Sequence, residues 1–147
     1  MNKQPIHILI AEDDKDDQLL TTEAFEEARI HNELHFVEDG EELLDYLHRR
    51  GKYNAENAPK PGLLILDLNM PRKDGREALM EIKKDPALRR IPVLVLTTSS
   101  AEQDIVATYE LGVAGYVVKP VTFDGLVKAF ESVGNYWLEV VHLPGFE

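Results

Sequence analysis

Short apolar runs of strand length alternate along this chain with longer segments whose apolar positions recur at helical spacing. Ile6 to Ala11 is apolar and β-branched and is closed by Glu12, Asp13 and Asp14, which predicts a first strand. From Lys15 to Ile30 the positions Leu19, Leu20, Ala24, Phe25 and Ala28 fall at helical spacing between acidic residues, and Asp14 is placed to cap that helix. Leu34 to Val37 predicts a second strand, stopped by Asp39-Gly40, and Leu43, Leu44 and Leu47 a second helix. Arg49 to Gly62 is polar, with two glycines and two prolines, and predicts a loop. Leu63 to Leu66 is a continuous apolar run ending at Asp67, followed by a helix through Ala78, Leu79 and Ile82 that stops before Asp85-Pro86. Pro92 to Leu96 predicts a fourth strand ending at Thr97, and Ile105, Val106, Tyr109 and Leu111 a fourth helix stopped by Gly112. Gly115 to Val118 predicts a fifth strand ending at Lys119-Pro120, with a fifth helix from Phe123 onward.

Five strands alternating with five helices imply βαβ crossovers, hence a doubly wound α/β domain with a parallel sheet between two helical layers. The runs at 63–66 and 93–96 carry no polar face, as strands covered on both sides require. At 147 residues, without repeats or low-complexity tracts, the chain is expected to be one domain over 1–147. Its core would run from about 6 to 138, with an apolar tail over 139–147.

Composition narrows the chemistry. The absence of cysteine removes disulfides, thiolate metal sites and cysteine nucleophiles, and fits a cytoplasmic location. A formal charge of -11, from 16 Lys plus Arg against 27 Asp plus Glu, repels a phosphate backbone, so no nucleic-acid partner is expected. No apolar run approaches the roughly 20 residues of a membrane span, and no signal-peptide core precedes the first strand. None of the five histidines, His7, His31, His35, His48 and His142, pairs with another at zinc-ligand spacing, so no histidine metal site is expected. Asp16, Asp17, Glu23, Glu26 and Glu27 read as a solvated helix face.

The residues that end the strands carry the functional signal, because open α/β sheets bind ligands at the carboxyl ends of their strands. Glu12, Asp13 and Asp14 end the first strand, Asp67 the third, Thr97 the fourth and Lys119 the fifth. Crowded carboxylates raise one another's pKa, and a hard cation with oxygen ligands relieves that conflict, with Mg²⁺ the natural candidate. Taken singly, each residue has an ordinary reading as a cap, turn former or loop cation. Their joint placement on one rim is what needs explaining.

That constellation resembles the receiver domain of two-component response regulators. The resemblance rests on Ile8 to Asp14, Leu66 to Pro71, Asp74-Gly75, Leu96-Thr97-Thr98, Tyr116 and Lys119-Pro120, and extends from about Ile6 to Leu138. It implies a flavodoxin-like sheet in the order 2-1-3-4-5, with Asp67 as acceptor of a phosphoryl group from a histidine kinase. Glu12, Asp13, Asp67 and the backbone carbonyl of Asn69 would hold Mg²⁺, and Thr97 and Lys119 would bind phosphoryl oxygens. Thr97 and Tyr116 would form a switch, the threonine moving toward the phosphoryl group and the tyrosine turning inward. Asn69 and Ser99 would tune dephosphorylation, and a cis Lys119-Pro120 bond, common in that family, would aim the lysine inward.

After Lys119 only 28 residues remain, so the resemblance is to a stand-alone receiver whose output is a protein contact and not turnover. The stretch from Leu66 to Glu77, the polar insert at 49–62 and the tail containing Trp137 together resemble regulators paired with bacterial phytochrome kinases. That group often forms homodimers through the fourth helix, fifth strand and fifth helix. Trp137, Leu138, Val140 and Leu143 would then contribute to an interface, the alternative being that the tail packs over the sheet edge. A haloacid-dehalogenase-type phosphatase also uses an aspartyl nucleophile, but it needs an acid two residues later, where this chain has Asn69. A pseudo-receiver that binds without phosphorylation is opposed by the intact set Glu12, Asp13, Asp67, Thr97 and Lys119.

Overall fold

Successive residues of a strand point to opposite faces, and in this chain both faces are apolar along the central strands. The computed structural model describes residues 6–135. Its elements are β1 (His7–Ala11), α1 (Lys15–Glu27), β2 (Leu34–Val37), α2 (Gly40–His48), β3 (Pro61–Leu66), α3 (Gly75–Lys84), β4 (Val93–Thr97), α4 (Glu102–Glu110), β5 (Gly115–Val118) and α5 (Phe123–Val133). All pairings are parallel, in the order β2-β1-β3-β4-β5. Leu9, Leu64, Leu66, Val93 and Val95 enter one core with Leu43 and Leu44 of α2 and Leu79 and Ile82 of α3. Their neighbours Ile8, Ile10, Leu63, Ile65 and Leu94 enter a second core with Phe25 of α1 and Phe130 of α5. Those two phenylalanines stack with ring centroids 4.0 Å apart. Among the described residues no helix is long and apolar enough to cross a membrane.

Several boundaries and faces differ from the sequence reading. α1 stops at Glu27, because Arg29 adopts a left-handed φ of 61° just past its end. Leu19 and Leu20 lie on its exposed side, leaving Thr21, Ala24 and Phe25 as the buried positions. The expected loop at 49–62 is shorter, since β3 already starts at Pro61, which pairs with His7 of β1, and Gly62 sits at a register shift before Leu63 pairs with Ile8. It is tied down by Arg49 Nε donating to the Ala58 carbonyl at 3.0 Å and by the Tyr46 hydroxyl on the Pro59 carbonyl at 2.9 Å. α4 departs most: Val106 and Tyr109, expected to face inward, are 49% and 50% exposed, and Thr108 is its buried residue. The Lys119-Pro120 bond is trans, like every peptide bond among the described residues. Trp137, Leu138, Val140 and Leu143, and the tail reading with them, lie outside the described residues.

Two Asp-Gly pairs set the loops beside the sheet. Asp39 caps α2 by accepting from Glu42 N at 2.8 Å, and Asp74 caps α3 by accepting from Glu77 N at 3.1 Å. The glycine after each allows the helix start to lie against backbone. A Cβ on Gly75 would sit 2.3 Å from the Asp67 carbonyl oxygen and 2.8 Å from Leu68 Cα. Gly75 N also donates to the Leu68 carbonyl at 2.9 Å, so the first turn of α3 braces the peptide that carries Asp67. Gly75→Ala must therefore displace backbone, and a loss of about 1–3 kcal/mol in urea unfolding is expected. A loss below about 0.5 kcal/mol, within the range of a neutral surface change, would contradict this account.

Candidate functional site

The parallel ladder runs one residue past the strands and carries the polar residues with it. Ala11 lies opposite Leu66 and Thr97 opposite Val118, so the next residues, Glu12, Asp67 and Lys119, emerge at one rim beside Thr97. Their own amides hold the register: Glu12 N donates to Val37 O at 2.9 Å, Asp67 N to Ala11 O at 3.1 Å and Lys119 N to Thr97 O at 2.7 Å. Lys119 thus reaches the rim with a trans bond to Pro120.

Asp67 is only 7% exposed, and both of its oxygens are engaged. Oδ1 accepts from the Thr97 hydroxyl at 2.8 Å and from Asn69 N at 3.1 Å, while Lys119 Nζ donates to Oδ2 at 3.2 Å. The same ammonium pairs with Glu12 and, at 3.2 Å, with Asp17 Oδ2. Carboxylate oxygens of Glu12, Asp13 and Asp67 lie within 4.8 Å of one another, with Asp13 exposed and the other two buried. Burial pushes the Glu12 carboxyl up to about 7, against the pull of Lys119. Burial also opposes the charge on Lys119, but the hydrogen bond to Glu12 and the charge of Asp67 outweigh it and hold the ammonium above its ordinary value. Four carboxylates around one ammonium leave the rim short of positive charge. The all-oxygen donors Glu12, Asp13 and Asp67 suit a hard divalent ion that keeps several waters.

A family model described as the response regulator receiver domain matches residues 8–131. The chain belongs to the receiver-domain family of response regulators. It is 46% identical over 140 residues to the response regulator Rcp1 of Synechocystis, covering 95% of this chain and 94% of that protein. The Mn²⁺-bound structure of Rcp1 superposes with a TM-score of 0.86 at 45% identity, covering 96% of this chain and all of the other. The phosphorylated cyanobacterial phytochrome response regulator RcpA gives 0.88 at 42% identity, over 97% of this chain and all of RcpA. RPA3017, a response regulator in red light signalling of R. palustris, gives 0.90 at 37% identity, over 96% and 99% of the two chains. The protein is therefore a two-component receiver related to phytochrome response regulators. Receivers work with histidine kinases and hold a divalent metal at their acidic pocket.

The receiver fold brings together Glu12, Asp13, Asp67, Asn69, Thr97 and Lys119, as the strand ends suggested. The Thr97 hydroxyl donates to Asp67 at 2.8 Å. Tyr116 packs partly against the core and donates its hydroxyl to the Ser99 carbonyl at 3.0 Å. Asp17, read from sequence as part of a solvated face, joins the site through Lys119. No local spacing marked it, because Asp13 lies before the Asp14 cap and outside α1. Gln18 likewise turns back, its amide donating to the Glu12 carbonyl at 2.7 Å.

A second network passed unnoticed in the sequence because its members are far apart. Arg76 grips Asp104 with two bonds of 2.7 Å, and the Ser99 hydroxyl donates to Asp104 at 2.6 Å. The side chain of Ser99 is therefore committed to α4. The Arg76 guanidinium, with Ser99 beside it, holds Asp104 down to about 2. A depressed carboxyl contributes stability above its ordinary value of 3.8 and loses it as pH falls toward 2. Asp104→Asn should cost about 1–2 kcal/mol near neutral pH, allowing for the partial exposure of Arg76. In urea titrations the gap from the parent should close between pH 4 and 2. A gap that stays constant to pH 2 would contradict the assignment.

Proposed function

We propose that Asp67 accepts a phosphoryl group from the phosphohistidine of a sensor kinase in a Mg²⁺-dependent step, and that the receiver signals through α4, β5 and α5. One observation carries this reading: Asp67 presents a carboxylate held at one oxygen by Thr97 and at the other by Lys119, beside Glu12 and Asp13. An oxygen of Asp67 attacks phosphorus as the phosphorus–nitrogen bond breaks, the electron pair returning to the kinase imidazole. Phosphoryl transfer needs positioning and neutralisation of charge more than covalent chemistry from the protein. Glu12, Asp13, Asp67 and the Asn69 carbonyl would hold Mg²⁺, which supplies charge on the transferring oxygens when bound. Thr97 and Lys119 already donate to Asp67 and would pass their bonds to the new oxygens. Asn69 and Ser99 flank this centre and would tune the lifetime of the acyl phosphate.

Because the attacking carboxylate already carries −1, the acyl phosphate changes the charge at this position by only about −0.5 to −1, but it adds three acceptor oxygens. Thr97 and Tyr116 would transmit that change, because Ser99 ties both to α4: its carbonyl accepts from Tyr116 and its hydroxyl donates to Asp104. Such a switch requires two packings separated by only a few kcal/mol. The relationship to RcpA supports a bacteriophytochrome-type kinase as partner. Exposed Val106 and Tyr109 on α4 and Val118 on β5 support a homodimer through that face, completed by the C-terminal tail. The protein would turn over no external substrate.

Incubation with Mg²⁺ and acetyl phosphate should give one phosphoryl adduct by intact mass, suppressed by a chelator and absent from Asp67→Asn. An undiminished adduct on Asp67→Asn would place the acceptor elsewhere. For the dimer, light scattering at high micromolar concentration should report two chains, and a monomer with and without a phosphoryl mimic would remove that part of the reading.

A further inference from the structure

The opposite end of the sheet brings together two histidines that no spacing along the chain connects. His7 opens β1, and His35 is the second residue of β2. Leu9 pairs with His35, so His7, two residues before Leu9, shares a face with His35. Glu33, two residues before His35, falls on that face as well, and its carbonyl is pinned by Ile8 N at 3.0 Å. His7 Nδ1 lies 3.2 Å from His35 Nε2. Glu33 Oε1 is 3.3 Å from His35 Nε2, and Glu33 Oε2 is 3.7 Å from His7 Nδ1. The rings meet at their nitrogen edges, tilted by 52°, and do not stack.

These separations have a chemical meaning. Nitrogen and oxygen donors about 2.0–2.1 Å from a tetrahedral zinc ion stand about 3.3 Å from each other. The two nitrogens stand at that spacing, 3.2 Å apart, and the Glu33 carboxylate straddles them, Oε1 toward His35 and Oε2 toward His7, so that one donor atom from each residue lies within 4.8 Å of the other two. A hydrogen bond between the imidazoles would use one proton and leave the carboxylate facing a neutral pair. We propose that His7, Glu33 and His35 form a second metal site, selective for a borderline d-block dication such as Zn²⁺, with water completing its coordination. Two imidazoles and one carboxylate disfavour Mg²⁺, which prefers oxygen donors. The histidine side chains are 35% and 17% exposed, so an ion can enter without unfolding the sheet. The five residues of β1 separate this site from the phosphoacceptor rim by roughly 13 Å or more. A bound ion would clasp β1 to the edge strand β2.

Zinc titration against a chromophoric chelator, in saturating Mg²⁺ to occupy the acidic pocket, tests this directly. One equivalent of Zn²⁺ should bind the parent and Asp67→Asn alike. His7→Gln and His35→Gln should each weaken binding about tenfold or more, and the double variant should abolish it. Metal-free melting curves identify any variant that fails to fold, and His7→Gln, at a half-exposed strand end, keeps the test alive if His35→Gln does. Unchanged zinc affinity in folded His7→Gln would overturn the site, as would a loss that follows Asp67→Asn instead. So would imidazole resonances of His7 and His35 that respond to pH but not to millimolar Zn²⁺, which would make the cluster a proton site only.

Discussion

Four carboxylates and one ammonium share the carboxyl-terminal rim of the sheet, and that imbalance governs what the rim can hold. Lys119 cannot satisfy Glu12, Asp17 and Asp67 fully while Asp13 stands beside them. Glu12 is raised to about 7 mainly by burial, with the charge of Asp67 a smaller contribution, despite a direct bond to the lysine. A divalent cation held by Glu12, Asp13 and Asp67 would relieve that repulsion by compensating their negative charge. The buried Thr97 hydroxyl and the Asn69 amide serve the same end by donating to one oxygen of Asp67.

Much of the fold was legible because it depends on periodicities that sequence displays. The stretches 8–11, 63–66 and 93–96 are apolar at every position, and the structure divides their alternate residues between two cores. Asp14 was readable as a helix start and Asp39 as a strand stop, and both cap helices, as does Asp74. Asp67, Thr97 and Lys119 could be grouped before any coordinates, because a parallel sheet places all strand ends of one kind at one rim. What escaped was pairing at a distance. Arg76 meets Asp104 across 28 residues, and His7 meets His35 across another 28, through register and helix placement that no local pattern encodes. The inward face assigned to α4 failed for a different reason. A helix flanking an edge strand has little sheet to cover, so its apolar residues need not be buried.

α4 is also the least anchored helix among those described. Its first residue follows Ala101, which offers no side-chain cap, whereas Asp14, Asp39, Asp74 and Thr122 cap the other four. Its side-chain hydrogen bonds to the rest of the fold are the contacts of Asp104 to Arg76 and Ser99. Polar attachments exchange between discrete partners more readily than a packed apolar face slides, because a close-packed core resists intermediate positions. A helix held in this way can shift while α2 and α3 stay fixed on the sheet.

The position of Ser99 makes that freedom consequential. Its amide lies 3.5 Å from the Thr97 hydroxyl, its own hydroxyl donates to Asp104, and its carbonyl accepts from Tyr116. One residue therefore meets the hydrogen-bond partner of Asp67, α4 and the Tyr116 hydroxyl. On the proposed function, a reorientation of the Thr97 hydroxyl would be felt at Ser99, and a movement of Ser99 would alter the attachment of α4 and of Tyr116 together. The coupling needs no long pathway. It follows from placing three polar contacts on the amide, hydroxyl and carbonyl of one loop residue just past the end of β4, where the parallel ladder no longer dictates the backbone.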